Sequence, residues 1–93
     1  MKVNLFVSAR KLPDMDVFSK SDPQCIIYLK NGRRWQQIGK TEKINDNLNP
    51  DWRTSFTMPY YFERRQDLLF KIIDDDGEGE EADFLGQAEV TMG

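Results

Sequence analysis

Apolar and polar side chains alternate at the start of the chain, where Val3, Leu5 and Val7 are separated by polar residues except at Phe6. A period of two is the pattern of a β-strand with one buried face. Five later segments have a similar length and β-branched or aromatic content, and turn residues such as Asn31-Gly32 bound them. The predicted strands cover residues 2–9, 24–30, 34–41, 52–58, 67–73 and 86–92.

Six short strands and no sustained helical period predict an all-β fold, an antiparallel β-sandwich. A chain of 93 residues is long enough for one domain with one modest core, so we expect a single domain over residues 1–93. The last predicted strand ends one residue before the terminal glycine. We therefore expect a sandwich that lacks its final strand or receives it from outside, as a piece of a larger multidomain protein.

The net charge of −3 conceals an uneven distribution of charge along the chain. Segments 14–22 and 74–83 contain three and seven of the sixteen acidic residues, but a single basic one, Lys20. The remaining chain has twelve basic and six acidic residues. A basic body favours an anionic partner, and the two acidic segments oppose that partner until something neutralises them.

Both acidic segments lie between predicted strands, so a sandwich can bring them together at one end. Several carboxylates in one place repel one another, and a bound cation relieves that repulsion. Calcium suits such a site because it accepts six to eight oxygen ligands in irregular geometry. An EF-hand is excluded, since Leu85 stands twelfth from Asp74, where that motif needs a glutamate. Composition alone leaves open that both segments are simply solvated loops.

The sequence lacks the residues that several kinds of catalytic and metal site require. The chain has no histidine, which excludes Cys–His dyads, histidine-dependent triads and most zinc sites. The single cysteine, Cys25, lies in the apolar run CIIYL and is predicted to be a buried small side chain. No segment has the length of a membrane span or the apolar core of a signal peptide. We expect a cytoplasmic protein that is not an enzyme.

Four ordered motifs resemble the C2 domain family and cover almost the whole chain. The run from Asp16 to Pro23 resembles its first calcium-binding loop, in which two aspartates precede a proline. Residues 41–52 resemble its T…LNPxW connection, residues 69–76 its strand leading into D-x-D, and residues 83–86 the D-F-L-G that closes its third loop. The runs VFSKSDP, IGKTEKI and DFLGQAEV are most similar to the first C2 domain of copines. The resemblance implies a Greek-key β-sandwich.

The same resemblance implies a calcium site built from two loops. Its ligands would be the side chains of Asp16, Asp22, Asp74, Asp76 and Asp83 and the carbonyl oxygens of Met15 and Asp75. The third loop departs from the family pattern, because seven positions separate Asp76 from Asp83 where many C2 domains have six. The predicted cofactor is Ca²⁺.

A C2 domain of this kind is expected to dock on an anionic phospholipid membrane when calcium rises, with the ion bridging protein and headgroup. The predicted membrane contacts are Val17 and Phe18 in the first loop and the basic residues Lys30, Arg33, Arg34, Lys40 and Lys43. Ordinary packing of the first pair and a solvated strand face for the basic residues stay open. Copines also carry a second C2 domain and a von Willebrand factor A-like domain, which the resemblance implies as neighbours in a longer chain.

Other functions compete with membrane docking. A C2 scaffold for protein–protein contact with little calcium dependence is the alternative hypothesis. Trp35 and Trp52 could stack on nucleic acid bases, but Trp52 lies in a predicted strand and is expected in the core, so no nucleic acid partner is predicted. A paired-carboxylate enzyme needs a substrate cleft that exposed loops of so small a domain do not provide.

Overall fold

The computed structural model describes residues 2–12, 22–45, 47–59, 65–74 and 83–92, apart from the side chain of Asp83. Within these ranges the chain forms six strands and no helix, and therefore no helix that could cross a membrane. The strands are β1 (Lys2–Ser8), β2 (Pro23–Asn31), β3 (Arg34–Lys40), β4 (Asp51–Pro59), β5 (Gln66–Asp74) and β6 (Asp83–Met92).

The strands form two sheets in which every pairing is antiparallel. One sheet has four strands in the order β3-β2-β5-β6, and the other consists of β1 and β4. The strands β2 and β5 are the most apolar and occupy the centre of the larger sheet, where both neighbours and the facing sheet cover them. The all-β antiparallel architecture predicted from the sequence is confirmed.

The core lies between the sheets and is built mainly from the inward faces of β2, β4 and β5. Cys25, Ile27 and Leu68 are fully buried, and Trp52 and Met58 are 4% and 6% exposed. Each buried apolar side chain contributes roughly 1.5–3 kcal/mol relative to its exposed state. Burial also raises the pKa of the Cys25 thiol to about 12, so it stays protonated and serves as a small apolar side chain, as the sequence predicted.

Strand β6 begins three residues before its predicted start at residue 86. The register passes from Ile72 opposite Gly86 to Ile73 opposite Phe84, so Leu85 is the extra residue of a β-bulge. At the bulge Leu85 is buried, 8% exposed, while Phe84 stays 52% exposed. The sequence prediction of a strand boundary at Gly86 is wrong, because the strand continues through this glycine. As a result β6 extends as far as the end of β5.

Residues 41–44 connect the two sheets. The Thr41 hydroxyl accepts a hydrogen bond from the Cys25 N–H at 2.9 Å, and the Thr41 N–H donates to the Cys25 carbonyl at 2.8 Å. The next side chain, Glu42, accepts from the N–H groups of Arg53 at 2.7 Å and Thr54 at 3.2 Å on β4. One dipeptide thus joins an edge of the smaller sheet to the centre of the larger one.

The Glu42 carboxylate should make stability depend on acid. Partial burial raises its pKa, but the hydrogen bonds from Arg53 and Thr54 outweigh that effect and lower the pKa from 4.5 to about 2. Its contribution to folding is therefore complete above about pH 4.5 and is lost as the pH falls towards 2. Glu42→Gln should lower the free energy of unfolding at neutral pH by about 1–2 kcal/mol.

Urea unfolding between pH 7 and pH 2 measures this dependence. The gap between the parent chain and Glu42→Gln should narrow as the pH falls towards 2, because protonation of Glu42 removes most of the contribution of its charge. The exposed Glu89→Gln on β6 serves as the matched control and should stay within about 0.5 kcal/mol of the parent. A gap that persists unchanged at pH 2 would contradict the role assigned to the Glu42 charge.

Candidate metal centre

Three aspartates come together at one end of the four-stranded sheet. Asp22 directly precedes β2, Asp74 is the last residue of β5 and Asp83 the first of β6. Pro23 is the register partner of Asp74, which is in turn the partner of Asp83. Facing residues in an antiparallel pair have Cα atoms about 4.5–5.5 Å apart, so these positions are immediate neighbours in space.

The Asp74 side chain is buried, with 3% of its surface exposed. One carboxylate oxygen, Oδ1, accepts a hydrogen bond from the Asp22 N–H at 2.9 Å. Among the described residues no basic side chain forms an ion pair with it. Burying a carboxylate without a counter-charge is unfavourable, and a cation bound beside it would offset that cost.

The described part of the chain does not contain a complete set of metal ligands. Within it, no three His, Cys, Asp or Glu side chains are close enough together to hold an ion. The predicted ligands Asp16, Met15, Asp75 and Asp76 lie outside the described residues, and Asp83 is placed by its main chain alone. Asp22 and Asp74 are therefore the two predicted carboxylates whose positions the structure relates directly.

A buried tryptophan fixes the main chain next to Asp22. The Trp52 indole Nε1 donates a hydrogen bond across the sandwich to the Pro23 carbonyl at 3.2 Å, and the Ile44 N–H donates to the same oxygen at 3.1 Å. Proline has no N–H to donate to the sheet. The two hydrogen bonds accepted by its carbonyl therefore hold the main chain here. Trp52 belongs to the smaller sheet and Pro23 to the larger, which makes this contact a second tie between the sheets at the aspartate end.

The main chain that leads to the first acidic segment is held by residues 48–50. The Ala9 N–H donates to the Pro50 carbonyl and the Leu12 N–H to the Leu48 carbonyl, both at 2.9 Å. Between them the Lys11 N–H donates to Asn49 Oδ1 at 2.8 Å. The Leu-Asn-Pro run thus anchors residues 9–12, from which the chain enters segment 13–21.

Comparison with known proteins decides the family. The model of the family described as "C2 domain" matches residues 3–93. The chain belongs to the C2 domain family. The role of Asp22, Asp74 and Asp83 as metal ligands stays a prediction.

Relatives of this C2 domain include proteins much longer than it. It is 42% identical to Copine-E of Dictyostelium discoideum over 99% of its own length and 17% of that protein, which confirms the copine resemblance. A C2 domain of plant extended synaptotagmin 1 has a similar structure, with a TM-score of 0.77 and 25% identity over 96% of this chain and 66% of that one. Extended synaptotagmin 2 in its calcium-bound form gives a TM-score of 0.72 and 27% identity over 96% of this chain and 32% of that one.

The five predicted membrane-contact cations of this C2 domain do not form one patch. Lys43 precedes Ile44, which bonds to Pro23, and Lys40 faces Ile26, about 10 Å along β2 from Pro23. Lys30, Arg33 and Arg34 surround the β2–β3 turn, and Lys30 lies about 23 Å along β2 from Pro23. The turn is thus at the end of the sandwich opposite the aspartates.

Lys71 is a cation near the aspartate end that the sequence analysis did not assign to membrane contact. Lys71 on β5 faces Ile26 from the side opposite to Lys40, so the two lysines flank Ile26 on the outer face of the larger sheet. The Lys71 ammonium lies 5.9 Å from the centre of the Phe84 ring. Lys71 was missed because it lies in the apolar run LLFKII. The alternation of faces along β5 would have predicted that its side chain points outward.

Removing the indole N–H of Trp52 tests its contact with Pro23. Trp52→Phe keeps an aromatic side chain but loses the hydrogen bond and some core volume, which should lower the free energy of unfolding by about 1–3 kcal/mol. Trp35→Phe, on the outer face, is the matched control and should change it by less than about 0.5 kcal/mol. Equal losses in the two variants, measured by urea unfolding, would show that the Trp52 contact does not stabilise this end.

Proposed function

We propose that this C2 domain binds calcium at its aspartate end and thereby docks on an anionic phospholipid membrane. The observation that supports calcium binding is the buried Asp74 carboxylate, which has no counter-charge among the described residues and lies beside Asp22 and Asp83. The calcium-bound structure of extended synaptotagmin 2 shares this fold. In this chain the aspartate end would hold the ion.

The donor set fits calcium. All the proposed ligands are oxygens, which hard cations prefer, and the set lacks the nitrogen or sulfur donors typical of zinc sites. The proposed ligands are Asp16, Asp22, Asp74, Asp76 and Asp83 through their carboxylates and Met15 and Asp75 through their carbonyls. Bound calcium would supply positive charge at an end that otherwise repels anionic lipid.

Contact with the leaflet would then involve residues around the aspartate end. Val17 and Phe18, in the first acidic segment, would insert into the interface and contribute roughly 1.5–3 kcal/mol for each side chain that is fully buried. Lys40, Lys43 and Lys71 would add electrostatic attraction of about 1 kcal/mol each, fading within a Debye length. Calcium thus acts as the switch that moves the domain from the cytoplasm to the membrane.

Replacing Asp74 by asparagine separates the destabilisation caused by its buried charge from its proposed role in calcium binding. Without calcium, Asp74→Asn should be as stable as the parent or up to about 2 kcal/mol more stable, because the amide keeps an acceptor for the Asp22 N–H and removes the unpaired charge. Calcium at a hundred times its dissociation constant should stabilise the parent by about 2.7 kcal/mol, and the variant far less.

Thermal unfolding in chelator and in calcium measures both effects. Asp51→Asn is a matched control, since Asp51 lies at the same end but is exposed and paired with Arg10 at 2.8 Å. It should retain the stabilisation by calcium. A parent chain whose stability ignores calcium, or an Asp74→Asn variant that is less stable in chelator, would contradict the proposed role of Asp74.

Membrane docking is tested by co-sedimentation with vesicles of equal parts phosphatidylcholine and phosphatidylserine, in calcium or in chelator. The parent chain should sediment with the vesicles in calcium alone, and Asp16→Asn and Asp22→Asn should weaken that binding by roughly tenfold or more. Asp51→Asn again provides the control. Binding that is the same in calcium and in chelator, and the same in these variants, would contradict the calcium mechanism and favour a protein-contact scaffold.

A further inference from the structure

We propose that Asn49 is a positioning residue for the proposed calcium site and acts through the main chain of Lys11. The side-chain oxygen Oδ1 of Asn49 accepts a hydrogen bond from the Lys11 N–H at 2.8 Å. Asp16, a proposed ligand, follows Lys11 after a stretch of chain that spans at most about 18 Å. The inference rests on the proposed function, since it concerns the affinity of the same site for calcium.

The main chain around Lys11 contains one residue more than the segment it pairs with. The flanking hydrogen bonds run from the Ala9 N–H to the Pro50 carbonyl and from the Leu12 N–H to the Leu48 carbonyl, both at 2.9 Å. Three residue steps on one side thus lie opposite two on the other, which is the arrangement of a β-bulge. A bulge changes the direction of the chain that follows it.

Lys11 has a backbone conformation that lysine rarely adopts. Its φ is +55°, and it is the one residue other than glycine with a positive φ in the part of the chain that the structure describes. This left-handed conformation is unfavourable for a residue with a Cβ atom, so the surrounding contacts must hold it. Asn49 supplies one such contact and is itself held by Asn47, whose Oδ1 accepts the Asn49 N–H at 2.8 Å.

The residue after the bulge lies beside a strand that carries a proposed ligand. Leu12, which directly follows Lys11, is half-buried and borders the cleft between the sheets together with Phe70 and Ile72 of β5. Ile72 comes two residues before the buried Asp74. The direction that the bulge gives to the chain therefore leads towards the aspartate end.

Segment 13–21, which contains two of the proposed ligands, is bounded by two contacts of the same kind. Before it, Asn49 Oδ1 accepts the Lys11 N–H, and after it, Asp74 Oδ1 accepts the Asp22 N–H at 2.9 Å. Each contact fixes the main chain through a side-chain oxygen. Ion binding has to order the ligands, and fixed ends reduce the conformational entropy that is lost in doing so. Loss of the Asn49 contact would raise that cost.

Isothermal titration calorimetry with calcium tests this role. Asn49→Ala removes the acceptor and should raise the calcium dissociation constant by roughly tenfold, the smaller of the effects typical for a partner that orients a metal ligand. Asn49→Asp keeps an oxygen acceptor and should bind calcium no more than about twofold less tightly than the parent. Asp51→Asn loses the exposed ion pair with Arg10 and is the matched control, which should also stay within about twofold.

Lys11→Asn in the Asn49→Ala background provides a rescue. Asparagine adopts the left-handed conformation more readily than lysine, so the double variant should recover roughly threefold of the lost affinity. No recovery would contradict the route through Lys11. A purely structural role of Asn49 would lower the free energy of unfolding in chelator and leave the dissociation constant unchanged, since the titrations use fully folded chains.

The outcomes separate this inference from the proposed function. If Asn49→Ala binds calcium as tightly as the parent, or Asn49→Asp loses as much affinity as Asn49→Ala, the positioning role is overturned while calcium binding stands. If the parent binds no calcium, the proposed function fails, and the contact is tested by tryptic cleavage after Lys20 in chelator. There Asn49→Ala should be cleaved faster than the parent and Asn49→Asp, and equal rates would overturn the positioning role.

Discussion

The antiparallel pairing of β2 with β5 is the interaction on which the rest of the molecule depends. Its inward side chains, including Cys25, Ile27 and Leu68, form the fully buried centre of the core. Its last register pair, Pro23 with Asp74, brings the buried carboxylate next to the main chain of Asp22. A shift of one residue in this register would turn the core residues outward and carry Asp74 away from Asp22 at the same time. Packing and site geometry are therefore fixed by one set of hydrogen bonds.

The aspartate end combines a destabilising charge with several stabilising contacts. Asp74 is buried without a counter-charge among the described residues, at a cost to the metal-free fold. At the same end, Trp52 and Ile44 hold the Pro23 carbonyl, and Glu42 joins β4 to the segment that follows β3. These contacts offset the cost that the carboxylate introduces. The described part of this end, held in this way, would keep its geometry before the proposed ion binds, which would reduce the ordering cost of binding.

The sequence predicted those features that depend on local pattern. All six strands were predicted, because period two and turn residues are local signals. The start of β6 was missed, since the bulge at Leu85 depends on its register against β5. The hydrogen bonds from the edge of β4 to the Glu42 carboxylate were missed for a similar reason, because the donors are eleven and twelve residues away. No pattern in the immediate neighbourhood of Glu42 distinguishes it from an ordinary exposed glutamate.

The candidate site shows the same division between local and long-range information. The C2 motifs placed Asp22 and Asp74 in two loops, but they did not show that Asp74 is the buried last residue of β5 or that it accepts the Asp22 N–H. The basic residues were grouped because they are close in sequence. The structure separates these residues into two groups. Lys30 lies next to the β2–β3 turn, whereas Lys40 lies at the far end of β3, opposite Ile26.

The arrangement of charge along β2 has a mechanical consequence. Paired β-strands at the centre of a sheet are stiff, and β2 is hydrogen-bonded on both sides to β3 and β5. Its two ends are therefore held at a fixed separation, with carboxylates at one and cations at the other. Calcium bound as proposed would alter the charge of the aspartate end alone, and the charge of the β2–β3 hairpin would stay unchanged.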